Sequence, residues 1–206
     1  AFAPGEDVMA TIRVLDYSAR FENPNQGSTT VDERAVDGAW VVRVTPRGQP
    51  TVVDSPAISV AGRELIGVES AVRPFFVHLP GRPASAGASW VDTVSVTEAH
   101  ADAVSTARSI VTSTLEGDTI VDRRRLLVIS TISETTLEVE GSSGGVEIFQ
   151  SLSGATRGRV LWDANRGVLV DRVEEGRLDG TLELPGMGFG GLPVEATVRR
   201  TVRLSP

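Results

Sequence analysis

Residues 156–174, TRGRVLWDANRGVLVDRVE, set two runs rich in β-branched and aromatic side chains on either side of the polar turn Asp163-Ala164-Asn165-Arg166-Gly167. A chain that reverses there needs residues tolerant of positive φ. Asn165 and Gly167 supply them, so the stretch predicts a β-hairpin. The same grammar extends through the C-terminal half. Leu178, Leu182 and Leu184 alternate with Arg177, Asp179, Thr181 and Glu183, while Val194, Ala196, Val198 and Val202 alternate with Glu195, Thr197, Arg199 and Thr201. Such strands bury one face only, as antiparallel sheets allow. Leu126-Leu127-Val128-Ile129 is apolar on both faces and predicts a covered central strand. Turn signals at 141–145, 165–167, 175–176 and 185–191 suggest strands about 8–12 residues apart. The expected fold is mainly β: an antiparallel curved sheet, sandwich or open half-barrel with one or two short helices.

The N-terminal part is less regular. Val8, Ala10, Ile12 and Val14 share one face of a predicted strand, and Trp40, Val42 and Val44 share one face of another. Residues 52–60 suggest one or two short strands broken at Pro56. Leu65, Val68 and Val72 recur at helical spacing over 63–73, where Pro74 stops the run. Residues 97–107 are alanine-rich and leave helix and loop both open. The Pro-rich segment 74–83 divides the chain, which is either one β-rich domain over 1–206 or two subdomains, 1–82 and 83–206.

Composition removes several chemistries. No cysteine is present, which excludes disulfides, thiolate metal sites and cysteine nucleophiles. All 20 basic residues are arginine, so there is no Schiff-base or P-loop lysine. The net charge of −7 opposes general nucleic-acid binding. No window reaches the roughly 20 apolar residues of a membrane-spanning helix. The sequence opens Ala1-Phe2-Ala3-Pro4 without an initiator methionine. That fits a processed form or a fragment, and loss of a signal peptide would place the protein in the periplasm or outside the cell.

Two glycine patterns imitate catalytic motifs. Gly141-Ser142-Ser143-Gly144-Gly145 reads G-x-S-x-G and, with His78 and His100, permits a serine hydrolase on paper. A nucleophile elbow needs a strand before it and a helix after it, whereas strands are expected on both sides here. Gly186-Met187-Gly188-Phe189-Gly190-Gly191 reads G-x-G-x-x-G, but Leu192-Pro193 and a strand follow instead of a phosphate-binding helix. The 163–167 turn starts like a calcium loop yet lacks the later bidentate acid. No catalytic residue, metal ligand or cofactor is therefore expected. Candidate contact points for a partner are Met187 and Phe189 on the glycine-rich loop and the basic run Arg123, Arg124 and Arg125. Trp40, Trp90 and Trp162, with Leu127, are candidates to line an apolar pocket.

Leu79-Pro80, Gly87 to Trp90, Gly154, Gly158, Asp163 and Gly167 carry a resemblance over the last two-thirds of the chain. There it resembles a group of uncharacterised bacterial envelope proteins, many of them lipoproteins, with an "LP…GxxW" step before a β-rich second half. The resemblance implies export and no known active site. The absence of a lipobox cysteine leaves membrane anchoring open. The function expected from the sequence is a non-enzymatic extracytoplasmic accessory or structural subunit whose partner is a protein of the envelope or of a membrane complex. The alternative is a carrier or sensor of lipid or another apolar small molecule.

Overall fold

A computed structural model describes residues 6–13, 18–23, 27–63, 68–100, 102–143, 145–187 and 189–203. It is antiparallel and strongly β-dominated. In the N-terminal part, β1 (Val8–Ile12), β5 (Trp40–Val44) and β6 (Pro50–Asp54) form a three-stranded sheet with β5 at its centre. A hairpin of β2 (Ser18–Asn23) and β3 (Gly27–Asp32) and a short pair of β4 (Val36–Asp37) and β7 (Ala57–Ile58) complete its strands. The alternation in β5 has the expected result: Trp40 and Val42 are fully buried and anchor a core with Val31, Ile58 and Val72. Of the helical run expected over 63–73, the described residues hold α1 (Val60–Arg63), α2 (Val68–Val72) and a 3-10 turn at Arg73–Phe75. Val14 and Leu65 lie outside the described residues.

The C-terminal part is one six-stranded meander. Strands β8 (Ser89–His100), β9 (Ala103–Val121), β10 (Arg124–Ser143), β11 (Val146–Asp163), β12 (Val168–Leu184) and β13 (Phe189–Arg203) pair in chain order, leaving β8 and β13 as free edges. The alanine-rich stretch 97–107 belongs to the β8–β9 hairpin. Central strands of 17 to 20 residues are far longer than the turn spacing suggested. Glu175-Gly176, read above as a turn, lies inside β12, where Gly176 pairs with Thr156.

That glycine shapes the sheet. On one face of the distal half, Leu152 and Leu178 are only 4% and 7% exposed. Neither belongs to one of the two core clusters, and the curl of the sheet shelters them. A Cβ on Gly154 would strike the backbone of Arg177 and Leu178. One on Gly176 would strike Ala155 and Thr156, and one on Gly180 would strike Ser151 and Leu152. Glycine at these points lets β11 and β12 coil tightly, the role of glycine kinks in curved sheets. Two β-bulges, at Val128/Ile129 on the β9–β10 pair and at Leu161/Trp162 on the β11–β12 pair, increase the twist nearer the N-terminal part.

The Pro-rich segment bridges the two parts and is held to both. Leu79 N–H donates to Arg47 O at 2.7 Å, and His78 O accepts from the Trp90 indole N–H at 3.0 Å. Val77 and Leu79 are buried against Leu115, Ile129, Val160, Trp162 and Leu169, forming a second core on the inner face of the sheet. Among the described residues, no helix is long and apolar enough to cross a membrane.

If close strand approach produces the curvature, Gly154→Ala and Gly176→Ala each lose about 1–3 kcal/mol through overpacking against backbone. Gly186→Ala, where an added Cβ meets nothing within 4 Å, stays within about 0.5 kcal/mol of wild type. Urea denaturation midpoints measure both.

Candidate functional site

The register of the meander aligns side chains in rows across its inner face. One row runs Trp90, Ser113, Thr131, Gly158, Glu174 and Arg200. Here the apolar alternation gives way to charge. Glu174 is buried and accepts from Thr156 Oγ1 at 2.7 Å, Arg172 NH2 at 3.2 Å and Arg200 NH1 at 3.3 Å. Arg172 NH1 also donates to Phe76 O at 3.4 Å, tying the network to the segment that covers this end of the sheet. Burial by itself would raise the Glu174 pKa. The Arg172 charge, the Thr156 hydrogen bond and Arg200 outweigh it and hold the carboxyl below its ordinary value. Two guanidiniums therefore share one ionised carboxylate.

His78 lies beside this network. Its Nδ1 meets the Asp92 carboxylate, and its backbone carbonyl accepts the Trp90 indole N–H at 3.0 Å. Burial, followed by the charges of Arg73, Arg47 and Arg172, lowers the His78 pKa to about 4. At neutral pH the ring is therefore uncharged beside the Asp92 carboxylate.

These groups stand at one end of an open trough of about 380 Å³. The volume falls within the usual size of small-molecule sites. Pro74, Phe76, Val77 and His78 close the end nearest the N-terminal part, and the curled sheet forms the floor. Away from the arginines the floor turns apolar and small, with Val94, Val96, Ala107, Val111 and Leu137 among hydroxyl side chains. Val96, Ala107, Leu137 and Leu152 form the next apolar row, six residues along β10 from Thr131. At the rise of a β-strand the two rows are roughly 20 Å apart.

The residues singled out from sequence separate into several places. Trp90, Trp162 and Leu127 converge in the second core, with Trp90 and Leu127 only partly buried, whereas Trp40 belongs to the N-terminal core. Trp40 thus stands in a different cluster from the other three. Met187, 55% exposed, lies in the β12–β13 connection at the distal end of the sheet. Phe189 begins β13 beside it, and its side chain lies outside the described residues. At the opposite end, roughly 60 Å away along β10, Arg123 lies in the β9–β10 turn and Arg124 and Arg125 open β10. Arg125 forms a two-pronged pair with Asp118 there. Met187 and the arginine run thus do not share a face.

The hydrolase and cofactor imitations resolve as hairpins. Ser143 ends β10 at the distal tip, twelve residues along the strand from the row of Trp90, so it cannot meet His78; its side chain and that of His100 lie outside the described residues. Among the described residues of the second imitation, Pro185–Met187 form a 3-10 turn and β13 starts at Phe189. At the 163–167 turn, Asp163 Oδ1 accepts the amides of Asn165 and Arg166, and Gly167 takes φ +68°. Asp163 caps a hairpin. Among the described residues no group of three or more potential metal ligands converges.

No protein-family model matches the chain, and neither a curated protein nor a solved structure is similar to it. The trough itself has to carry the functional argument. Of its charged members, Arg73, Glu98, Arg172, Glu174 and Arg200, none was singled out by the sequence pattern, although the last four occupy inner-face strand positions.

The His78 environment makes stability depend on acid. The unfolded ring takes a proton near its ordinary 6.5, whereas the folded ring resists until about 4. Between those values the unfolded state binds more protons, so stability is present above pH 6.5 and is lost as pH falls towards 4. His78→Gln is expected to flatten this part of the curve. Urea midpoints at pH 7 and pH 5 for both proteins test it, and identical losses in the two would contradict the neutral, buried ring.

Proposed function

We propose that the protein binds an apolar or amphipathic small molecule in the trough, acting as a carrier or sensor and not as an enzyme. The supporting observation is an open trough on the inner face of the sheet whose apolar floor side chains stay half-buried, closed at one end by the segment 74–78. An ordinary antiparallel sheet covers such a face with a second layer. Here the floor side chains remain partly exposed, so an apolar guest that filled the trough would remove further apolar surface from water. The separation of Met187 from the arginine run weakens a single docking face built on those residues. The trough therefore carries the reading better than the distal loop does.

The neutral fluorophore N-phenyl-1-naphthylamine tests it. Wild-type protein is expected to give a saturable, one-to-one fluorescence rise that dodecanol reverses. Leu137→Arg, on the trough floor, is expected to lose at least about tenfold in affinity, close to 1.4 kcal/mol, while Ile132→Arg on the outer face retains it. A linear, unsaturable signal, or equal loss in both variants, contradicts the proposal.

A further inference from the structure

We propose that the guest is a long-chain carboxylic acid, its carboxylate at Arg172 and Arg200 and its chain running along the apolar floor towards Leu137. This rests on the trough being the binding site.

The argument starts from unequal ends. At the covered end two guanidiniums, Arg172 and Arg200, share the single carboxylate of Glu174. That is a local positive surplus in a chain of net charge −7. At the other end Glu98 lines the trough, eight residues along β8 from Trp90 and therefore roughly 26 Å from the arginine row. Between them lie Val94, Val96, Ala107 and Leu137. An anionic head is favoured at the first end and disfavoured at the second, and the middle suits a hydrocarbon chain.

The donors narrow the headgroup. Arg172 uses NH1 for Phe76 O and NH2 for Glu174, while its buried Nε–H has no acceptor among the described residues. A buried donor without an acceptor is costly, and an arriving anion would satisfy it. Arg200 gives only NH1 to Glu174 and its side chain is 43% exposed, so the remaining donors are accessible. A few N–H groups from two guanidiniums match the two oxygens of a planar carboxylate. They fall short of the larger donor set that a phosphate monoester requires. Glu174 holds both arginines in place and tempers their charge, which keeps the site suited to a single negative group.

Displacement of N-phenyl-1-naphthylamine from the wild-type protein at pH 8 and low salt tests the inference. Dodecanoate is expected to compete at least about tenfold better than dodecanol, with dodecylamine weaker than both. In Arg200→Gln, a half-exposed position whose fold circular dichroism can verify, the advantage of the acid over the alcohol is expected to disappear while dodecanol affinity is kept. Equal competition by acid and alcohol on wild type overturns the headgroup assignment and leaves the trough reading standing. So does an acid preference that survives in Arg200→Gln, or dodecyl phosphate binding better than dodecanoate. Absence of saturable probe binding overturns the trough reading itself.

Discussion

Everything distinctive in this structure depends on how closely β11 and β12 approach one another. A strand pair that coils tightly enough to shelter Leu152 and Leu178 has no room for a Cβ at Gly154, Gly176 or Gly180. Sterics at these positions decide between a flat sheet and a curled one. The curl then decides the environment of every inner-face side chain, from Trp90 to Leu137. The N-terminal core, built on Trp40 and Val42, holds the segment 74–79 in place, and that segment closes one end of the concavity.

The charged cluster follows from the same geometry. A buried ion pair contributes little net stability after desolvation, yet breaking it is expensive because a charge is left unpaired. Arg172, Glu174 and Arg200 are therefore better understood as a fixed arrangement of charge than as a source of stability. Thr156 and the Phe76 carbonyl complete it, joining β11, β12, β13 and the covering segment through one carboxylate and two guanidiniums. Such a cluster gives an otherwise uniform apolar trough a direction.

The strand alternation made the β class, the antiparallel pairing and the burial of Trp40 and Val42 legible in the sequence. Strand length was not legible. Gly176 looks like a turn residue because glycine serves both reversal and close approach, and only the pairing partner distinguishes them. The site was partly legible. Arg200 stands between Val198 and Val202 where the alternation calls for an apolar residue, and such an interruption is itself a signal. Arg172 was hidden for a different reason: the β-bulge beside Leu161/Trp162 shifts the register between Leu169 and Arg172, so simple parity places them on opposite faces although both turn inward. His78 meets Asp92 from a Pro-rich segment, a contact that no strand periodicity could foreshadow.

The central claim is that the curled inner face holds a guest, and a chain with no native cysteine allows a direct measurement. Leu137→Cys and Val96→Cys place thiols on the trough floor, and Ile132→Cys places one on the outer face. Maleimide labelling of each, with and without saturating dodecanoate, reports what the ligand covers. The account predicts strong slowing at positions 96 and 137 and none at 132. Unchanged rates at the two floor positions, or equal slowing at all three, would contradict it.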